Sequence, residues 1–191
     1  MTGKLIALLA AFTFLLAGSA YGQQPAAKKP VKTASLPEEN TLAHQVRHQI
    51  QVLPYYSVFD YVTFTLEGGK VTLIGHVLRP NLRGEAEKNI KSIEGVTAVN
   101  NLIEVLPKSS SDDDVRRAVY RAVFEDSTLQ RYAVSEIPAI HIIVKDGEVT
   151  LEGVVGNEGE KNLATSRASG VPGVASVKNN LSIHSKDNPA N

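Results

Sequence analysis

The residues best suited to binding chemistry lie in one helical segment, DDDVRRAVYRAVFED, at positions 112–126. At 100° per residue, one arc of this helix is apolar and carries Val115, Ala118, Val119, Ala122 and Val123. The opposite arc combines three cations with two rings, namely Arg116, Arg117, Tyr120, Arg121 and Phe124. Guanidinium groups pair with phosphates through parallel hydrogen bonds, and aromatic rings settle at the depth of lipid headgroups. The pattern therefore predicts an interfacial surface for anionic phospholipid.

A second interpretation leaves the same arc without a ligand. Here Tyr120 and Phe124 are covered by segment 131–139, where Tyr132 stacks on them, or by the other copy of the repeated unit described below. Aromatic rings are more often buried than displayed. The arginines then pair with acidic neighbours, which are Asp112, Asp113, Asp114, Glu125 and Asp126. If lipid is bound, each basic residue contributes about 1 kcal/mol, so binding is weak and sensitive to salt. The sequence leaves both interpretations open.

Other residues capable of chemistry do not form a recognisable site. His44 and His48 stand four residues apart on one helix face, but no metalloprotease pattern surrounds them and the chain has no cysteine, so we expect neither a metal nor a cofactor. No serine stands in a nucleophile elbow, and no glycine-rich phosphate loop is present, which predicts a protein without catalysis. His141 alternates with two isoleucines and is expected on the sheet face away from the helices, at the surface or between domains.

The elements that position these residues occur twice along the chain. Hydrophobic periodicity and turn signals predict helix, strand, strand, helix and strand at 42–53, 58–66, 70–78, 80–94 and 99–106. The same order follows at 113–124, 140–145, 148–155, 160–169 and 177–184. Because a strand–helix–strand connection crosses over right-handed, the last two strands of each copy are expected to be parallel. The fold class is therefore α+β, with two repeated α-β-β-α-β units, each a small three-stranded mixed sheet with two helices on one face.

Two short stretches show how closely the copies agree. VTLIGHV at 71–77 is matched by VTLEGVV at 149–155, and GVTAVNNL at 95–102 is matched by GVASVKNNL at 173–181. Gly75 and Gly153 occupy the same position in their strands, which predicts either a close approach of neighbouring backbone or a bulge.

The first 37 residues differ in composition from the repeats. Residues 1–22 hold one lysine, an apolar run too short to cross a bilayer and then small residues, which predicts a cleaved signal peptide or, alternatively, a retained anchor. Residues 23–37 form a linker rich in proline, alanine and lysine, and 185–191 form a tail. The net charge of zero argues against a nucleic-acid binder. We therefore expect an exported protein.

The repeated motifs resemble those of tandem BON domains, small modules of bacterial envelope and osmotic-stress proteins. The resemblance rests on G-x-V-T-L-x-G-x-V at 69–77 and 147–155 and on G-V-x-x-V-x-N at 95–101 and 173–179, and it gives domains at 38–107 and 112–184. It implies a non-enzymatic, periplasmic or membrane-associated binding protein with phospholipid contact. An alternative function is a protein–protein adaptor or a self-associating envelope stress protein, in which sheet edges such as 99–106 bind envelope proteins or a second copy.

Overall fold

The structure is a computed structural model that describes residues 36–134 and 139–184. The predicted signal peptide at 1–22, most of the linker at 23–37 and the whole tail at 185–191 lie outside the described residues. None of the described helices is long and apolar enough to span a membrane.

The first repeat contains two helices and a three-stranded sheet. Its elements are α1 (Leu36–Gln51), β1 (Tyr61–Glu67), β2 (Lys70–Val77), α2 (Pro80–Lys91) and β3 (Ala98–Val105). The strand order is β1-β2-β3, with β1 antiparallel and β3 parallel to β2. Its core is built from apolar side chains of the helices and the sheet, among them Val46, Leu73, Leu82, Ile90 and Ile103.

The second repeat has the same order, with one strand divided. Its elements are α3 (Ser110–Phe124), a 3₁₀ turn (Gln130–Ala133), β4 (Ile140–Lys145), β5 (Glu148–Val155), α4 (Glu158–Ser169), β6 (Ser176–Asn179) and β7 (Ser182–Ile183). Both β6 and β7 pair in parallel with β5, so the single strand predicted at 177–184 is broken into two pieces. The predicted α+β fold with two repeated units is confirmed.

Strand β1 begins at Tyr61, three residues later than predicted, because Asp60 closes a loop in front of it. The Asp60 side chain is buried, and its carboxylate accepts hydrogen bonds from the Ser57 backbone N–H, the Ser57 hydroxyl and the Leu78 N–H at 2.9, 2.7 and 2.7 Å. A buried carboxylate with three donors is well satisfied, so residues 57–60 are held in one shape.

The repeated glycines allow neighbouring strands to approach closely. A Cβ atom on Gly75, at φ +143°, would lie 2.0 Å from the Tyr61 carbonyl oxygen, and one on Gly153, at φ +119°, would lie 2.0 Å from that of Ala139. The strand register runs through both positions without an extra residue, so neither glycine marks a bulge. Of the two predicted roles, close approach is therefore the correct one.

The two repeats contact each other through β4. The Ile142 N–H donates to the Val58 carbonyl at 2.8 Å, and the Val58 side chain belongs to the hydrophobic core of the second repeat. Lys145 also forms an ion pair with Glu104 of the first repeat at 2.7 Å. Every residue of β4 except Lys145 is buried, so this strand is covered on both faces.

Candidate functional site

Helix α3 is fixed at its N-terminus by polar residues. Ser109 is the N-cap, and its hydroxyl accepts a hydrogen bond from the Asp112 N–H at 3.2 Å. The Asp112 carboxylate is buried and accepts from the N–H groups of Asp146 and Gly147, in the turn between β4 and β5, at 3.0 and 2.9 Å. Ser109 therefore caps α3, and Asp112 additionally holds α3 against the sheet.

Two residues of the predicted lipid-binding arc are buried, so the expectation that they face outward is wrong. Arg116 is 2% exposed, and its guanidinium donates to the Val144 carbonyl at 2.5 Å and to Asp113 at 2.6 Å. On the helical wheel Arg116 lies beside Val123, at the border of the apolar arc, and its long side chain reaches the end of β4. Phe124 is 5% exposed because it lies in the last turn of α3, within the core of the second repeat.

The other three residues of the arc are exposed and lie together. Tyr120 is 37% exposed, and Arg117 and Arg121 flank it along the helix. Arg117 forms a surface ion pair with Asp114. Arg121 has no ion pair within the part of the chain that the structure describes. Exposed ion pairs are worth about 0–1 kcal/mol, so both guanidinium groups are accessible to a phosphate.

An aromatic cluster surrounds Tyr120. Its ring lies 4.9 Å from that of Phe124, and the Phe59 ring of the first repeat stands edge-on to it at 6.2 Å. Both ring separations are within the favourable range for aromatic pairs. A cavity of about 330 Å³ opens at this point and is lined by Phe59, Arg117, Tyr120 and Arg121. The site therefore combines an apolar surface with two cations at its margin.

Phe59 belongs to this site, although the sequence pattern does not indicate it. The strand predicted at 58–66 includes Phe59, whereas in the structure this residue lies in the loop before β1. The density of aromatic residues in PYYSVFDYVTF at 54–64 was a signal, but it did not indicate that this loop packs on α3.

The alternative interpretation of the arc is correct only in part. Arg116 and Arg117 do pair with acidic neighbours on their own helix. Tyr132, however, makes no ring contact with Tyr120 or Phe124 among the described residues. Its hydroxyl instead donates to the Glu160 carboxylate at 2.5 Å and accepts from the Gly156 N–H at 2.7 Å, so it anchors the inserted segment on α4.

A larger groove, of about 630 Å³, also borders α3 and shares Arg117 and Arg121 with the aromatic site. Its lining includes three carboxylates, those of Asp112, Asp114 and Asp146. Since like charges repel, these carboxylates make the groove less suitable for an anionic ligand than the aromatic cavity.

The histidines do not form a metal centre in the described chain. His44 and His48 are exposed on α1, and the described residues contain no cluster of three or more potential metal ligands. His141 is buried between the repeats, where its ring lies 5.8 Å from that of Tyr56 and 5.4 Å from that of Tyr61. Burial lowers the pKa of His141, so the neutral imidazole is favoured.

The repeated sheet-and-helix units define the family of the chain. The family model for the BON domain matches residues 40–107 and 111–185, and the chain therefore belongs to the BON-domain family. It is 29% identical over 185 residues to the outer membrane lipoprotein DolP of Haemophilus influenzae, and the matched region covers 91% of this chain and 92% of that protein. It is 34% identical over 114 residues to the osmotically-inducible protein Y of Escherichia coli, which covers 58% of this chain and 56% of that protein.

Among solved structures, the chain is similar to CdsD, a structural protein of the type III secretion system of Chlamydia trachomatis. The similarity covers 77% of this chain and 94% of that chain, at 15% identity and a TM-score of 0.32.

Proposed function

We propose that this BON-domain protein is a non-enzymatic, exported binding protein of the bacterial envelope that associates weakly with anionic phospholipid. The supporting observation is the exposed Tyr120 between Arg117 and Arg121, beside an apolar cavity. The name of one relative, an outer membrane lipoprotein, supports a role in the envelope. The buried Arg116 and Phe124 support the helix from inside and do not contact lipid.

The charge distribution limits the expected affinity. The chain carries 20 basic and 20 acidic residues, so attraction to a membrane comes from a local patch. Two arginines near an anionic surface contribute about 1 kcal/mol each, and the tyrosine ring adds an interfacial contact. Binding of this kind is weak at physiological salt, because mobile ions screen exposed charges.

Co-sedimentation with vesicles tests the proposal. Wild-type protein is expected to bind vesicles of anionic phospholipid at low salt, to bind less at high salt, and to bind zwitterionic vesicles poorly. The Arg117→Glu/Arg121→Glu variant loses about 2 kcal/mol of attraction, so its affinity should fall by at least about tenfold.

The matched control is the double reversal Arg83→Glu/Lys88→Glu, at two exposed positions on α2 of the first repeat. We expect this variant to bind anionic vesicles as the wild type does. Binding that is indifferent to salt and to the reversal of Arg117 and Arg121 would contradict the proposal.

A second candidate function is a protein–protein adaptor or a self-associating envelope protein. Ile74 on β2 and Leu102 on the edge strand β3 are 42% and 57% exposed and are register partners on the outer face of the first sheet. An exposed apolar pair that includes a residue of an edge strand is a typical protein contact. Light scattering distinguishes this function: a stable oligomer that Leu102→Asp dissociates would favour it over lipid binding.

A further inference from the structure

The position of Phe59 is set by the first repeat. Residues 57–60 form the loop closed by the Asp60 carboxylate, which is 1% exposed and bonded to Ser57 and to Leu78. The Phe59 N–H also donates to the Ser57 hydroxyl at 3.3 Å. Because these bonds fix the backbone on both sides, the direction of the Phe59 side chain is determined before any ligand arrives.

The second repeat holds the same loop from the other side. The residue before Phe59, Val58, is 8% exposed, lies in the core of the second repeat and accepts a hydrogen bond from the Ile142 N–H at 2.8 Å. Phe59 itself is only partly buried against that core. It therefore extends from one repeat onto the surface of the other.

At this position Phe59 forms one wall of the cavity beside Tyr120. The other lining residues, Arg117, Tyr120 and Arg121, all come from α3 of the second repeat. Its volume of about 330 Å³ is at the lower end of the roughly 300–1,000 Å³ range of ligand pockets, so the cavity suits part of a lipid. Two cations border an opening beside two aromatic rings, which complements a phosphate joined to an apolar chain.

We propose that Phe59 is a lipid-contact residue and that the binding site is formed by both repeats together. This inference rests on the proposed function. The occupant is the interfacial part of an anionic phospholipid, with its phosphate at the arginines and the start of an acyl chain against the exposed surfaces of Phe59 and Tyr120. The site consequently exists only while the two repeats are docked.

The absence of tryptophan from the chain makes a direct test possible. A single indole introduced by Phe59→Trp reports on this position alone. With anionic vesicles that contain brominated acyl chains, its emission should shift to shorter wavelength and be quenched, and high salt should reverse both changes. The control is Tyr55→Trp, because Tyr55 is 71% exposed on the first repeat and lies beside an arginine, Arg79, at 4.6 Å. The control emission should not be quenched.

A second variant keeps the test valid if the indole disturbs the loop. Phe59→Ala should lower vesicle affinity about tenfold, which corresponds to 1.4 kcal/mol, whereas Phe59→Leu should retain most of it. Amide exchange at Ile142 shows whether the repeats stay docked, because its N–H bonds to Val58 across the boundary. A loss of affinity with unchanged protection at Ile142 supports a contact role, since loss of docking would remove both.

The outcomes separate this inference from the proposed function. If the protein binds anionic vesicles but the indole of Phe59→Trp is not quenched and Phe59→Ala binds normally, the composite site is overturned and lipid binding through α3 stands. If wild-type protein does not bind vesicles, the proposed function fails and this inference fails with it. Quenching confined to the Phe59→Trp variant supports both.

Discussion

His141 is a titratable residue in an apolar environment between the repeats. It is 7% exposed, its Nδ1 atom has no hydrogen-bond partner among the described residues, and its ring contacts those of Tyr56 and Tyr61. Burial lowers its pKa, while hydrogen bonding to the backbone of Asp60 and Ser57 and the negative charge of Asp60 oppose that shift less strongly. Glu152, its register partner on β5, is the other charged group facing this position.

We predict that the free energy of unfolding decreases as the pH falls below about 6.5, the ordinary pKa of an unfolded histidine. The pKa of His141 is lower in the folded chain, so below pH 6.5 the unfolded chain binds more protons than the folded chain. The contribution of the neutral His141 to the free energy of unfolding is therefore complete above pH 6.5 and is lost as the pH falls. The carboxyl groups whose pKa is lowered, Glu87, Glu104, Asp126 and Glu160, lose their contribution only at lower pH. The interval between pH 6.5 and 5 therefore reports on His141.

Urea unfolding at pH 7.5, 6.0 and 5.0 measures this effect. His141→Gln should flatten the dependence over that interval, and His44→Gln, at an exposed position on α1, should leave it unchanged. Equal slopes for wild type and His141→Gln would show that the buried imidazole is not responsible.

The side-chain pattern of α3 predicts the exposure of some residues of the site correctly and that of others incorrectly. The pattern of α3 correctly placed Arg117, Tyr120 and Arg121 on an exposed arc. It failed for Arg116, because the partner of that guanidinium is a carbonyl at the end of β4, and helical periodicity contains no information on where a strand ends. It could not include Phe59, which reaches the site from the other repeat.

Among the elements, β3 and its counterpart β6 are protected by the asparagine of the repeated G-V-x-x-V-x-N motif. The Asn101 amide donates to the Arg83 carbonyl on α2 at 2.8 Å, and its carbonyl oxygen accepts from the Ile103 N–H at 3.1 Å. Asn179 makes the same bonds to Lys161 and Leu181 at 2.8 and 2.9 Å. Each asparagine joins the edge strand to a helix and also satisfies a backbone donor, which gives the motif a structural role.

We predict that Asn101→Ala lowers the free energy of unfolding by about 1–3 kcal/mol, because it leaves the Ile103 N–H without its side-chain partner. The freed edge should also increase self-association. Thermal unfolding and light scattering measure the two effects, and Asn100→Ala, at the exposed neighbouring position, should change neither. The structural role would be refuted if both alanine variants behaved alike.

Element boundaries followed from the sequence where the turn signals were strong. Strands β4 and β5 begin and end as predicted, because the Asp146-Gly147 turn sets their register. Strand β1 was predicted to begin three residues too early, since alternation alone did not reveal that Asp60 folds back on Ser57. The break between β6 and β7 follows Asn179, where the Leu181 N–H bonds to a side chain.

At the scale of the molecule, the docking of the repeats was not predictable from either copy alone. The core of each repeat follows from periodicity, but the arrangement of the repeats depends on loop 57–60 and on β4. The composition of β4, IHIIVK, does indicate that this strand is covered on both faces, because a strand buried on both faces is apolar on both. The equivalent strand β1, YVTFTLE, alternates between apolar and exposed polar residues.

We predict that Val58→Ala weakens the docking by about 1–3 kcal/mol, since it removes part of a side chain that the first repeat inserts into the core of the second. Hydrogen exchange should show faster exchange at Ile142, whose N–H bonds across the boundary, and little change at Leu73 in the first core. Val52→Ala, at a residue 51% exposed, is the matched control and should stay within about 0.5 kcal/mol of wild type. Uniform acceleration across both repeats would instead indicate global destabilisation.

The composition of β1 does not allow a third repeat to dock on the first repeat in the way that the first repeat docks on β4. Val62 on β1 and Ile140 on β4 occupy equivalent positions, because each is the register partner of a repeated glycine. Thr63 on β1 is therefore equivalent to His141 on β4, and Thr65 is equivalent to Ile143. The two threonines are exposed, whereas His141 and Ile143 are covered by the preceding repeat. A further unit added upstream would meet hydroxyl groups where docking needs apolar surface. The two repeats can therefore dock only in their present order along the chain. Exchanging the first repeat with the second would abolish their association.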